Sequence, residues 1–336
     1  MIIDITPVEK IDWESPGARR YSVPFTMDGT WGRMRLPLYV ACAKKPGKTI
    51  VAIGATHGDE YEGPVAFKNL IHDLDPATLV EGRLIVVPVL NGPAFRAARR
   101  ESPIDGVNMN RAFPGNPRGT LSSRIAHFMT TEVLPRADVV LDIHSGGAPM
   151  EIARTMSFHA VPDPAAYSLF KTTALLFGTP FVMIYTSGMG TGLLTEEAEA
   201  MGKITIGSEL GYGASTDLDG VRWAYHGTLN VMKRFGLLEG DPVDLRTPGL
   251  DRQRVVSATD VDRWITAPVS GISEPLVPLG AFVTKGTPVT AIHDFDRWDE
   301  PPVVIRADGD GYVLQRKFRA ATEAGEVVMI IAEEVG

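Results

Sequence analysis

Among 336 residues there is one cysteine, Cys42. That excludes a disulfide framework and any cysteine-built metal site. It offers no obvious nucleophile either: Cys42 sits in the apolar run 38–43, where a buried, inert thiol is expected. Long hydrophobic runs are also missing. None approaches the ~20 residues of a membrane helix, and residues 1–11 carry acids where a signal sequence has a sustained apolar core. The expected address is cytoplasmic, with no membrane partner. Positive charge is in the minority, with 33 Lys and Arg against 41 Asp and Glu and a net charge of -8. This argues against nucleic acid or an anionic membrane surface as a partner and leaves small molecules open.

What is present describes an ordinary globular chain, 44% hydrophobic and 22% charged. Its length suggests about two domains at ~150 residues each. Over residues 1–250 strand and helix patterns alternate. Strands are expected at 20–26 and 33–43 around a turn at 27–32, then at 49–53, 83–89, 138–143, 181–185 and 203–208. Helices are expected at 63–74, with Val65, Leu70, Ile71 and Leu74 facing inward, and at 122–134, 163–177, 192–201 and 223–235. This predicts an α/β fold whose sheet is covered on both faces. Residues 91–119 read as one long loop rich in Pro, Gly and Asn, and loops of that length are usually functional. From residue 251 the texture changes to short strands between Gly and Pro turns, a small all-β domain over 251–336. A weak internal repeat there resembles the barrel-sandwich hybrid of lipoyl and biotinyl carriers. The hairpin that should carry their modified lysine, 294–300, has none, so a structural or gating role is expected.

The chain is organised around residues 54–63, Gly-Ala-Thr-His-Gly-Asp-Glu-Tyr-Glu-Gly. His57 and Glu60 stand three apart just past a buried strand. On one helical turn such side chains share a face, so a ring nitrogen and a carboxylate oxygen can converge. Alone, the pair is a common feature of solvated helices. A catalytic zinc site takes three protein ligands, and His144, at the end of the strand 138–143, is the best third. Asp142, on the same strand face, can accept the ring N–H of a metal-bound histidine. Glu209 ends another apolar strand among glycines, placed to take a proton from a water. In the long loop, Asn110 and Arg111 offer an amide and a guanidinium suited to a carboxylate, and Arg100 could polarise a carbonyl. Arg96 and Arg99 read as solvated. His72, His127, His159, His226 and His293 have no companions at ligand spacing and read as structural.

His57-Gly-Asp-Glu60, Asn110-Arg111 with Phe113-Pro-Gly, Asp142-Ile-His144 and Glu209-Leu-Gly, in this order, resemble the succinylglutamate desuccinylase/aspartoacylase family. That family is a branch of the zinc carboxypeptidase superfamily. The resemblance implies a mixed sheet flanked by helices with a C-terminal barrel-sandwich-like β domain. It implies one Zn2+ per chain on His57, Glu60 and His144, Glu209 as general base and acid, Arg100 near the carbonyl, and Asn110 and Arg111 on the substrate carboxylate. The implied reaction is hydrolysis of a small N-acyl amino acid, and a homo-oligomer is compatible with it. Two alternatives stand beside it: a carboxypeptidase-type peptidase, against which the β domain speaks, and a non-catalytic carrier.

Substrate charge follows from the same resemblance. Members acting on N-acyl aspartate place an arginine about ten residues before the catalytic glutamate. Here that position is Glu199, in an acidic stretch with Glu196 and Glu197, which individually read as solvated. A second substrate carboxylate would meet no cation there. This region, with the Ser102-Pro-Ile-Asp-Gly106 loop and Ile143-His-Ser-Gly-Gly147, resembles the N-acetyl-diaminobutyrate deacetylases within the family, which implies a neutral or basic amino-acid side chain.

Overall fold

The computed structural model describes residues 6–26, 32–186 and 191–335. The turn expected at 27–32 lies, apart from Gly32, outside the described residues. Strands β1 (Gly17–Thr26) and β2 (Arg33–Cys42) pair antiparallel. Next comes β3 (Thr49–Gly54), then helix α1 (Glu62–Asp73), β4 (Arg83–Val87), the short α2 (Gly92–Ala97) and α3 (Leu121–Phe128). β5 (Val139–Ile143), β6 (Met150–Ile152) and β7 (Thr155–His159) follow, then α4 (Pro164–Leu175) and β8 (Phe181–Tyr185). α5 (Leu194–Ala200), β9 (Ile204–Glu209), α6 (Leu218–Arg234) and β10 (Arg254–Ser257) complete this part.

The sheet order is β1-β2-β4-β3-β5-β9-β7-β8-β10, and the sheet runs on from β10 into the C-terminal strands Val327–Glu334, Gly311–Lys317 and Phe282–Val283. β4, β3, β5 and β9 run parallel, while β2 meets β4 and β7 meets β9 antiparallel. Every residue of β3 and β5 is buried, as a strand covered on both faces requires. One face packs on α1, α4 and α6 through Phe67, Phe170 and Trp223. The other packs on α3 and α5 through Ile125 and Leu194. Gly54 is in register with Ile143, and Asp142 with Gly207. The carboxyl ends of β3, β5 and β9 therefore open side by side, the place where α/β sheets bind ligands.

Eight short strands between Trp264 and Glu334 form the C-terminal antiparallel region around Ile265, Val289, Val313 and Ile331. The fold is the expected mixed α/β type with a C-terminal β region. Strand Gly311–Lys317 also pairs with β6, and Arg316 Nε meets Glu151 at 2.5 Å. Cys42 is buried with Sγ 3.2 Å from the Trp13 carbonyl. No described helix is long and apolar enough to cross a membrane.

Four details differ from the sequence reading. Val65 is 37% exposed, whereas Phe67 is fully buried and anchors α1 with Leu70. Residues 91–119 are not one loop. Asn91 caps α2 by accepting from Ala94 N, and a 3-10 turn spans Met109–Arg111. β6 and β7 were not expected, because Thr155, Ser157 and His159 give a buried strand a half-polar look. α6 starts at Leu218, since Asp217 caps it by accepting from Gly220 N.

Phe67→Ala should cost about 3–5 kcal/mol in chemical denaturation, and Val65→Ala within about 0.5 kcal/mol. Equal losses would contradict this placement of α1.

Candidate metal centre

The backbone leaves β3 through Ala55 at a left-handed φ of 50° and turns at Gly58. Only glycine fits at Gly58: a Cβ there would lie 2.0 Å from the Ala94 carbonyl carbon. His57 and Glu60 sit in this turn, ahead of α1, instead of on the helical turn the spacing suggested. Both are buried, as is His144 at the end of β5. His57 Nδ1 lies 2.7 Å from Glu60 Oε1, and His144 Nδ1 lies 2.7 Å from Glu60 Oε2. These three residues offer one ligand atom each within 4.8 Å of one another, the only such group among the described residues.

The outer ring nitrogens are also engaged. His144 Nε2 lies 2.8 Å from Asp142 Oδ2, and Asp142 Oδ1 accepts from Thr56 Oγ1 at 2.7 Å. His57 Nε2 lies 3.1 Å from Asn108 Oδ1. These acceptors draw the ring protons outward and leave the Nδ1 lone pairs facing a carboxylate. Lone pairs facing a carboxylate repel unless a cation or a proton sits among them. The donor set therefore suits a divalent ion, with nitrogen and oxygen ligands of the type zinc takes. Ser145 N adds a hydrogen bond to Glu60 Oε2 at 3.2 Å. Electrostatics tells the same story. Burial would raise the Glu60 pKa, yet His57 and His144 hold it far below the usual range. Burial would lower His144, yet Asp142 and Glu60 raise it well above the ordinary histidine value.

A cavity of about 170 Å³ opens over this group and brings the other sequence-derived residues to it: Arg100, Asn110, Arg111, Asp142 and Glu209. Arg100 Nη1 stands 3.3 Å from His57 Nδ1 and 3.4 Å from Glu60 Oε1. Asn110 Oδ1 accepts from Leu194 N at 2.9 Å, which turns its NH2 free for a ligand. Burial and the nearby Arg100 lower the Arg111 pKa, with Glu196 opposing. Glu209, at the end of β9, is pushed up to about 8 by burial first and by Glu60 second, against His144 and Arg100. Its Oε2 is buried and hydrogen-bonded to no protein group.

Sequence reasoning missed Thr56 and Asn108, which hold the ligand shell from outside. Asn108, two residues before Asn110, was the readable signal. It also missed Ser157, Met183, Tyr185, Leu193 and Thr195, which line the cavity. His159, read as structural, pairs its Nδ1 with Glu199 at 2.8 Å and lies against Tyr185 with ring centroids 4.2 Å apart and the rings tilted by 48°. Glu199 thus turns inward behind Tyr185 and also accepts from Thr205 Oγ1. Arg96 and Arg99 are exposed.

Buried groups that could hold a metal near strand ends, an acid beside them and cationic groups around a small cavity are what a hydrolase of small carbonyl substrates needs. The family model for the succinylglutamate desuccinylase/aspartoacylase catalytic domain matches residues 46–234. The N-alpha-acetyl-L-2,4-diaminobutyric acid deacetylase of Halomonas elongata is 34% identical over 97% of this chain and 94% of its own length. The crystal structure of a succinylglutamate desuccinylase/aspartoacylase from Rhodobacter sphaeroides superposes with a TM-score of 0.91 at 31% identity, covering 97% of this chain and 98% of that one. The product-bound ectoine utilization protein EutE (DoeB) from Ruegeria pomeroyi gives 0.88 at 33%, covering 96% and 98%. The chain belongs to the succinylglutamate desuccinylase/aspartoacylase family.

Glu209 makes a pH prediction. Its folded pKa lies above the unfolded carboxylate value, so the neutral form favours the fold. That contribution is full below the unfolded value of about 4.3 and is lost as pH rises to about 8. In metal-free protein, Glu209→Gln should match the native Tm at about pH 4, exceed it increasingly up to about pH 8 and hold that margin above it. Parallel Tm profiles for the two proteins would contradict this.

Proposed function

We propose that the chain is a zinc-dependent deacylase that hydrolyses N-acetyl-2,4-diaminobutyrate or a similar N-acyl amino acid with a neutral or basic side chain. The carrying observation is the division of charge in the cavity. The charged groups of the cavity are those of His57, Glu60, His144, Arg100, Arg111, Asp142 and Glu209. Its lining from β7, β8 and the start of α5 holds only uncharged side chains among the described residues, and Glu199 stands behind Tyr185. A second substrate carboxylate finds no partner on that lining. The acetylated diaminobutyrate named for the Halomonas relative fits it.

His57, Glu60 and His144 would hold one zinc ion. When bound, such an ion acts as a Lewis acid and lowers the pKa of water. Glu209, its carboxylate unpaired and its basicity raised, takes a proton from the attacking water and delivers it to the leaving nitrogen. Arg100 stabilises charge building on the carbonyl oxygen. The free Asn110 amide and the Arg111 guanidinium hold the α-carboxylate and so fix the amide in the cavity.

Residues 251–336 we assign to a second domain that narrows the entrance, beside a catalytic domain over 1–250. Support comes from the apolar core that residues 265–331 form among themselves and from contacts with the loops after His144 and Glu209, while β10 joins this unit to β8 of the main sheet. Phe318 N donates to Pro149 O, and the Phe318 ring meets Tyr212. A narrowed entrance favours small amides over peptides. A metabolic substrate of this size also suits a cytoplasmic address.

Glu209→Gln should retain zinc, measured by elemental analysis, and lose about 10²–10⁴ in kcat. Undiminished turnover would remove Glu209 from the mechanism. In side-by-side kinetics, kcat/KM for N-acetyl-2,4-diaminobutyrate should exceed that for N-acetylaspartate and for N-succinylglutamate. A preference for either diacid, or release of C-terminal residues from ordinary tetrapeptides, would refute the substrate assignment.

A further inference from the structure

A second cavity, of about 490 Å³, is lined by Ser22, Arg35 and Pro37 of the β1–β2 hairpin together with Val89, Phe95 and Arg96. The two arginines are exposed, and neither joins an ion pair among the described residues. Arg96 has only a long contact of 3.5 Å to the Gly92 carbonyl. Two uncommitted guanidinium groups over apolar side chains suit a carboxylate with an apolar body: forked N–H donors take the carboxylate, and Pro37, Val89 and Phe95 cover the rest.

α2 lines this cavity through Gly92, Phe95 and Arg96 and also touches the metal-centre loop. The Gly58 Cα packs against the Ala94 backbone so closely that no side chain fits between, and Gly58 N donates to Arg99 O at 3.0 Å. Phe95 meets Tyr61 edge to face at 5.5 Å, and Tyr61 directly follows Glu60. Arg100 leaves the same segment and ends 3.4 Å from Glu60. A ligand pressed on Phe95 and Arg96 thus bears on both Glu60 and Arg100. Close-packed contacts of this kind pass small shifts on without absorbing them.

We propose that this cavity is an effector site for small carboxylates with an apolar body, which change turnover by moving α2 and Arg100. Nothing in it depends on which N-acyl amino acid the enzyme hydrolyses.

Sodium benzoate is the probe, titrated by calorimetry into the zinc-loaded full chain, with inorganic phosphate as the apolar-free control. The double variant Arg35→Ala/Arg96→Ala should keep its Tm and its basal kcat and lose at least tenfold in benzoate affinity. Benzoate should alter kcat of the native chain saturably and leave kcat of the double variant unchanged. Benzoate binding that persists in the double variant and disappears in Arg111→Ala would place the carboxylate in the catalytic cavity and overturn the proposal. So would phosphate binding as tight as benzoate, no saturable benzoate binding to the native chain, or a kcat indifferent to saturation.

Discussion

Three buried groups aim their lone pairs at one point, and everything around them serves to keep them there. Glu60 sits between two imidazoles, each with its outer nitrogen held by an oxygen acceptor. Buried charges persist only when paired and hydrogen-bonded. That requirement explains Asp142 and Thr56 under His144, and Asn108 under His57. The three groups stand just past the ends of two adjacent parallel strands. The register of β3 with β5 sets the His57–Glu60 turn against His144 before any side chain is placed.

The same concentration of charge separates the acids by role. Glu60 and Glu209 share one buried pocket, yet Glu60 is held ionised by two histidines and Glu209 is driven toward its neutral form. Paired titratable groups pushed apart by their surroundings mark acid–base assignments. The cavity lining contributed by β7, β8 and the start of α5 carries no charged side chain among the described residues.

The His57, Glu60 and His144 group was legible in the sequence because its members follow the ends of two apolar strands within a few residues, and strand ends are visible as apolar runs that stop at polar residues. The order of motifs carried the family and, with it, the fold. Polar strands were less legible. β7 alternates Thr, Met, Ser, Phe and His and is buried throughout, so its polar half concealed it. Val65 looked like a core residue because its apolarity was read without the direction of the chain entering α1. Phe67 takes that place in the structure. Glu199 shows the limit most plainly. Its position was found by counting from Glu209, but only tertiary packing reveals that it turns inward to His159 behind Tyr185.

The central claim is that the His57, Glu60 and His144 group holds one catalytic zinc. Its most direct test is zinc stoichiometry and N-acetyl-2,4-diaminobutyrate turnover on one preparation, before and after chelation and on adding zinc back. The account predicts one zinc per chain, activity lost with the metal and restored by it, and a Glu60→Ala variant that neither retains zinc nor turns over. Full turnover in rigorously metal-free protein would contradict it.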